Sequence, residues 1–448
     1  CQKTDDAFRL IRLPKGHVLL RRLTMRYRSL IAWFCLITLC WISFSPLSFG
    51  QSYGVDLRNT LMPASGGMAG TSVAAPQDCV SAINGNPATM TQFKGSHMTL
   101  GGGWAESTFD LTQNVSAPAI DVDPFSDKST VPGSVVPAIG VTQELKGFPV
   151  PVFVGIGFVG AAGAGTNFVN AKESNGTASY LLLLEAIPSV AIELTDNLSI
   201  GGSMFIGDGF SSGPFVGTSK MTNAYSLRGG CGINYATSQR SWIGAYYLST
   251  QEFRFHDQVI PYRIPPLNGT PQTVNIGLPQ QVGLGWASER FMNNRLLLAV
   301  DALYFDWESA ALFGDIYNNT WALQMGAQYS SKRNIKLRCG YALAENPMDT
   351  DLITSIDGIV PGGTPSVDYT QAQFSIPNVH RISGGAGMEI YPHVNLDVFA
   401  GGMFPATQTL GATRVDLVSY WLGFGLTWHF DPCSKNGCSR LPSTCSSI

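Results

Sequence analysis

The sequence predicts an all-β fold, a transmembrane antiparallel β-barrel, from three observations. The first is composition: the 448 residues include 49 Gly and 11% aromatics but only 13% charged residues, about half the usual charge. Such a chain suits a β-rich protein whose surface does not all face water. The second is hydropathy: the mean of +0.09 is too low for a bundle of membrane helices, and beyond residue 50 no apolar run reaches the length of about 18 residues that a spanning helix needs. The third is period-two alternation in segments of about ten residues from residue 96 onward, the pattern of strands with two unlike faces.

Residues 1–24 lie upstream of a good initiator, Met25, and read as an over-extended or fragmentary start. Cys1 is not expected to carry lipid, because a lipobox would precede it. Residues 25–50 have the layout of a signal peptide: Arg26 and Arg28, an apolar stretch from Leu30 to Phe44, then Ser48 and Gly50 before a cut at Gln51. The alternative is a true membrane anchor, against which the short apolar run and the small residues argue. Of 28 basic and 31 acidic residues, the first 50 positions hold eight and two. The exported chain therefore has 20 basic against 29 acidic residues, a net charge near −9, and offers no groove for nucleic acid.

Residues 51–95 are rich in Gly, Ala and Ser, with apolar residues in no period-two order. Such a stretch before a barrel either hangs in the periplasm or folds inside the lumen as a hatch. Asn86-Pro87 is a turn in this segment, since Pro fixes φ and restricts its predecessor. The following "ATMTQF" suits a short helical turn.

Residues 96–430 carry the alternation. In "SYWLGFGLTWHF" Tyr420, Leu422, Phe424, Leu426, Trp428 and Phe430 fall on one face, and Ser419, Trp421, Gly423, Gly425, Thr427 and His429 on the other. "HVNLDVFAGGMF" (393–404) and "NIKLRCGYALAE" (334–345) repeat the pattern. Further strands are expected at 197–207, 229–237, 241–249, 295–307, 321–330 and 381–391. The turns "TDN", "TSQR", "MNN" and "SSKRN" are short, whereas 206–224, 252–276 and 345–378 read as long loops. Short turns at one end and long loops at the other suit an outer-membrane barrel, which must close because no lipid-facing edge stays unpaired. A secreted soluble β protein is the rival fold.

Nine Cys become six after the leader: Cys79, Cys231, Cys339, Cys433, Cys438 and Cys445. Cys231 and Cys339 lie in strand-like segments, where Cys behaves as a small hydrophobe. The tail trio, within residues 431–448, has room for one local disulfide, and the tail lacks a fourth metal ligand. No metal or other cofactor is expected.

The segment "GNPATMTQFKG" resembles the Asn-Pro-Ala region near the start of the FadL family, outer-membrane transporters of long-chain fatty acids and other hydrophobic compounds, where it belongs to the hatch. The resemblance continues in order through "AIPSVAIELTDNLSIGGSMFIG", "GINYATSQRSWIGAYYLS", "NIGLPQQVGLGWASERFMNNRLLLAVDALYFDWES", "LRCGYALAENP" and "SIPNVHRISGGAGMEIYPHVNLDVFAGGMF" to the final aromatic strand. It covers most of residues 60–430. It implies about fourteen strands, a hatch whose motif is Asn86, Pro87, Ala88 and Phe93, a bacterial outer-membrane location and a monomer. Its partners would be a hydrophobic cargo, outer-membrane lipid and the barrel-assembly machinery. Three departures stand out: "YLS" at Tyr247–Ser249 where the family commonly has Tyr-Arg-Ser, Asn378 in place of an acidic residue, and 18 residues after the terminal aromatic Phe430.

The implied mechanism is capture by outer loops, an apolar pocket above the hatch, and sideways exit through a strand that cannot pair continuously. "FPVPVFVGIGFVGAAGAG" fits such a strand, with Pro149 and Pro151 lacking donors and Gly160, Gly163 and Gly165 favouring a kink. The alternative for it is a Gly-rich strand packed closely on the hatch. A fatty acid also needs a cation for its carboxylate, for which Arg381, Arg338 and Lys336 are candidates; the alternative is that each pairs with a lumen Asp or Glu. If none faces the pocket, a neutral hydrocarbon is the better cargo. No hydrolase or nucleotide-binding motif occurs, so no enzyme is expected. A general porin or a structural barrel is the alternative function.

Overall fold

The computed structural model describes residues 58–213, 218–260, 269–351 and 364–430. The expected start, signal peptide and C-terminal tail, with Cys433, Cys438 and Cys445, lie outside these residues.

Fourteen strands form the wall: β1 (Ser96–Gln113), β2 (Ser134–Leu145), β3 (Val152–Asn167), β4 (Ala178–Thr195), β5 (Leu198–Ser212), β6 (Thr222–Ser238), β7 (Ser241–Leu248), β8 (Gln280–Phe291), β9 (Leu296–Asp306), β10 (Thr320–Ser330), β11 (Ile335–Ala344), β12 (His380–Tyr391), β13 (Val394–Met403) and β14 (Thr413–His429). Each is antiparallel to the next, and β14 pairs with β1 from His97–His429 to Gln113–Thr413. That closure removes the open edge a bilayer forbids. β1 and β4, at 18 residues each, are longer than the ~9–11 a tilted strand needs to cross, so the wall rises beyond the membrane.

The alternation sorts side chains as expected. On β14, Leu422 and Phe424 are 52% and 56% exposed on the outer face, while Trp421, next to Leu422, is 3% exposed and faces inward. Outward Leu337, Ile382 and Val398 continue this apolar belt on β11–β13. Cys231 and Cys339 are exposed, and Cys79 is buried.

The short turns lie at the β1 N-terminal end. Met292, Asn293 and Asn294 turn β8 into β9 with positive φ, and His393 does the same between β12 and β13. Two of the expected long loops hold regular structure. Residues 252–276 contain a hairpin of Gln251–Ile260 with Gln272–Leu278, whose Phe253 and Phe255 are buried against β5; its own alternation, "EFRFHDQV", announces it. Residues 345–378 contain an α-helix, Thr364–Ala372. The third expected loop is shorter than 206–224, because β5 continues to Ser212 and β6 begins at Thr222.

The described part of the hatch, residues 58–95, fills the lumen. It has a 3-10 turn at Ser65–Met68, a helix at Cys79–Asn84 and a second 3-10 turn at Pro87–Gln92. Asp78 organises it: Oδ1 accepts from Ser81 N at 2.7 Å as an N-cap, and Oδ2 accepts from Ala64 N and Ser65 N at 2.9 and 3.2 Å. Burial raises its carboxyl above the ordinary range, and these donors oppose the rise.

The wall admits the hatch because most strands present a glycine to it. A Cβ at Gly140 would lie 2.8 Å from Val80, one at Gly201 would lie 2.6 Å from Ala88 N, and one at Gly340 would strike the Met68–Ala69 backbone. Side chains then fix it. Asp301 on β9 accepts from Ser72 N and Val73 N at 2.6 and 3.0 Å, Gln324 donates to Ala69 O at 2.8 Å, and Asn234 donates to Ala74 O at 2.9 Å.

Candidate functional site

Above the hatch lies a cavity of about 100 Å³. Its floor is Arg58–Met62 and Asn84, and one wall is Gly160–Ala164 of β3. The other side is aromatic: Trp307, Phe313, Tyr317 and Phe374. These four interlock through ring contacts of 5.0 to 5.8 Å, and the Tyr317 hydroxyl donates to Phe374 O at 2.5 Å. The surface they offer is apolar and fixed.

Two cations enter this apolar space. Arg58 and Arg228 both lie over the Phe205 ring, 5.2 and 4.9 Å from its centroid, and both face Glu185. Arg228 Nη2 donates to Glu185 Oε1 at 2.7 Å, whereas Arg58 Nη2 stands 3.9 Å from Oε2. Arg58 Nη1 donates to Asn84 Oδ1 at 3.2 Å. Among the described residues, two guanidiniums stand against one carboxylate, an excess of one positive charge. Among the described residues, Nε and Nη1 of Arg228 and Nε of Arg58 meet no acceptor. Burial, with Arg228 adjacent, lowers Arg58 to about 10, still charged at neutral pH. Buried donors without acceptors are costly unless a ligand completes them.

The wall beside the cavity is incompletely paired. β2 pairs with β1 from Ser134 to Gln143 but with β3 only from Ala138–Val159 to Leu145–Val152. β3 pairs with β4 to its end, with a bulge at Ala161. Among the described strands, β3 therefore makes no ladder with β2 beyond Val159; farther along, Thr130 N donates to Asn167 O at 2.9 Å. The result is a window in the wall, with Gly160–Ala164 on its edge and also lining the cavity.

Beneath the hatch the surroundings change. A hollow of about 400 Å³ is lined by Lys94, Glu193, Asp196, Asn197 and Gln239. A smaller one holds His97, Lys336, Asp397 and His429. The hatch thus separates an apolar space from polar ones.

The sequence-predicted residues fall as follows. Asn86 caps the second 3-10 turn through Ala88 N and donates to Ile233 O on β6 at 3.0 Å, Pro87 occupies the first turn, and Phe93 meets His97 edge-on at 5.5 Å. Gly160 and Gly163 line the cavity, while Gly165 is buried opposite Tyr180. Pro149 and Pro151 lie in the turn before β3, where Pro151 O accepts from Glu193 N; they do not interrupt the strand. Of the proposed carboxylate-binding residues, Arg338 is tied to Asp397 at 2.5 Å and to Gln328, Lys336 lies beneath the hatch, and Arg381 is buried on β12. None lines the upper cavity, whose cations are Arg58 and Arg228. Asn378 donates to Phe404 O and Leu417 O at 2.7 and 2.9 Å, a task a carboxylate cannot perform. Phe430 ends the wall, its N–H donating to Ser96 O at 3.0 Å.

The arginine pair escaped the sequence reading, although a signal was present. Glu185 is the one acid in "LLLLEAIPSVAI", and Arg228 takes the inward place next to outward Leu227.

No family model and no curated protein matches the chain. Solved structures do. A Pseudomonas aeruginosa FadL homologue aligns over 83% of this chain and 99% of its own at 16% identity, with a TM-score of 0.61. This is the FadL fold. The same fold is shared with the Pseudomonas putida toluene transporter TodX, at 14% identity over 86% and 100% of the two chains and a TM-score of 0.59. The Ralstonia pickettii toluene transporter TbuX aligns over the same shares at 16% identity, with a TM-score of 0.53. The FadL fold gives the plugged barrel; the arginines over Phe205 are read from this chain alone.

Proposed function

We propose that this chain passes hydrophobic molecules across the bacterial outer membrane, and that long-chain carboxylates are among them. The observation that carries the reading is the cavity itself: apolar walls, a hatch below, and beside it the stretch of β3 beyond the end of its ladder with β2. A hydrophobic cargo gains little by descending into the polar hollows, where it would expose apolar surface at about 25 cal/mol per Å². The window offers lipid instead. Outer loops and the inward hairpin collect the cargo, the cavity holds it, and it leaves sideways when the hatch and window shift.

The fold is shared with toluene transporters, for which a neutral hydrocarbon is the cargo. The excess charge at Arg58 and Arg228 favours a molecule with one anionic end, since the free donors match a carboxylate. Membrane lipid and the barrel-assembly machinery are the partners this reading requires.

The test is binding of radiolabelled palmitate to the detergent-purified exported chain, beside a form lacking residues 51–95. Saturable binding that the deletion abolishes is expected, because the hatch forms the cavity floor. No binding by the intact chain, with ion conductance from both forms, would indicate a general porin.

A further inference from the structure

The floor of the cavity carries a chain of hydrogen bonds from its cation to the wall. Arg58 Nη1 donates to Asn84 Oδ1 at 3.2 Å, Asn84 Nδ2 donates to Asn59 Oδ1 at 2.8 Å, and Asn59 Nδ2 donates to Ser72 Oγ at 2.6 Å. Ser72 N then donates to Asp301 Oδ2 on β9, also at 2.6 Å. Every bond points from the guanidinium toward the carboxylate. A guanidinium only donates, so turning Asn84 over would set donor against donor, and the direction of Asn59 follows from that of Asn84. Asn59, Ser72, Asn84 and Asp301 are all buried, and aligned bonds in a low dielectric strengthen one another. Side bonds brace the chain: Asn59 Nδ2 also donates to Ser81 O at 3.0 Å, and Ser72 Oγ donates to Gly70 O at 2.9 Å.

This chain accounts for the unequal placing of the two arginines. Arg228 reaches Glu185 at 2.7 Å, whereas Arg58 Nη2 stops 3.9 Å from Oε2. Opposite charges attract strongly across so short a buried gap, yet Glu185 Oε2 accepts no hydrogen bond among the described residues. The hold of Asn84 on the other arm of the Arg58 guanidinium opposes closure. We propose that Asn84, Asn59 and Ser72, anchored on Asp301, are positioning residues that keep Arg58 off Glu185 and so set the preference of the cavity for acids over neutral hydrocarbons. The inference rests on the acid-binding cavity proposed above. An Arg58 released from Asn84 closes on Glu185, and its donors are then satisfied inside the protein rather than by a cargo carboxylate.

Equilibrium binding of radiolabelled palmitate and toluene to the detergent-purified exported chain tests this, with heat-modifiable gel mobility confirming a folded barrel. Asn84→Leu removes both links of that amide and is expected to lower the ratio of palmitate to toluene affinity by about tenfold, the scale of one hydrogen bond to a charged group. Ser72→Ala removes a hydroxyl that does not line the cavity and alters no charge; the same ratio is expected to fall about threefold, the smaller effect of a neutral bond. In a Glu185→Gln background both losses are expected to vanish, because Arg58 no longer has a carboxylate to close on. A tenfold loss for Asn84→Leu that persists in that background would mean that Asn84 acts by touching the cargo, and it would overturn the inference. A wild-type ratio in Ser72→Ala would overturn the chain. If the wild type binds palmitate saturably and both variants keep its ratio, the cavity reading stands and the positioning is overturned. If the wild type binds no palmitate, the acid reading fails and the inference with it. Should Asn84→Leu not fold, Ser72→Ala, alone and with Glu185→Gln, decides between these results.

Discussion

At the residue scale the central feature is charge in an apolar place. Glu185 neutralises one guanidinium and leaves the other in excess beside the cavity. Removing Arg228 leaves Arg58 and Glu185, at 3.9 Å, as a neutral pair. Arg228→Ala should therefore weaken palmitate binding by about 1.5–3 kcal/mol, the worth of a hydrogen bond to a charged group, while toluene binding is retained. Glu185→Gln should act in the opposite direction, because it frees both guanidiniums for the ligand. Equilibrium binding of the two labelled compounds to each purified variant checks both signs; equal losses for acid and hydrocarbon would assign the arginines to structure alone. Sequence reasoning asked for a cation here and named Arg381, Arg338 and Lys336 as candidates, with pairing to a lumen Asp or Glu as the alternative. Arg338 follows the alternative: its partner, Asp397, is 59 positions away, and only strand register identifies it.

At the scale of elements, the hatch and wall are fitted by omission of side chains. Much of the glycine content has its cause here: glycines on the lumen face let the hatch backbone touch the wall backbone. Gly340 is the sharpest case, facing the Met68–Ala69 peptide. Gly340→Val should displace that part of the hatch while β11 keeps its ladder, since Val suits a strand. Planar-bilayer recording is expected to show ion conductance in this variant and none in the wild type. Silence from a folded variant would mean that the hatch seals the lumen elsewhere.

Element legibility followed the same logic. Strands with one lipid face were readable because alternation is strict there: Val394–Met403 and Ile335–Ala344 differ from the sequence reading by a residue at each end. The inward hairpin was missed, although Gln251–Ile260 alternates too, with Phe253 and Phe255 buried and Glu252 and Arg254 exposed, because the Gly, Pro and Asn of the stretch read as a loop. The prolines at 149 and 151 drew attention from the true end of the ladder, where Pro137 and Gly160 meet from different strands.

At the scale of the whole molecule, the barrel presents three environments in order: an apolar outer belt, an apolar cavity joined to it by a window, and polar hollows below the hatch. A water-filled pore would have placed the polar environment along the axis from end to end. In the function proposed above, this arrangement directs a hydrophobic molecule into the membrane plane rather than along the axis. The strand count came from resemblance, and closure of β14 on β1 supplies its physical reason, since every backbone group in the wall must find a partner in the sheet. Among the described strands the β2–β3 ladder is the exception: it ends at Ala138–Val159, beyond which Val136 packs toward Gly160 and Thr130 N donates to Asn167 O.

That window can be closed by a bond. The Val136 Cβ lies 3.6 Å from a Cβ placed on Gly160, within the spacing of about 3.5–4.5 Å that a disulfide spans. The decisive measurement is palmitate uptake by cells carrying Val136→Cys with Gly160→Cys, oxidised and then reduced. Lateral exit predicts that uptake is lost on oxidation and restored by reductant. Uptake at the reduced rate with the disulfide fully formed would contradict it and send the cargo through the hatch.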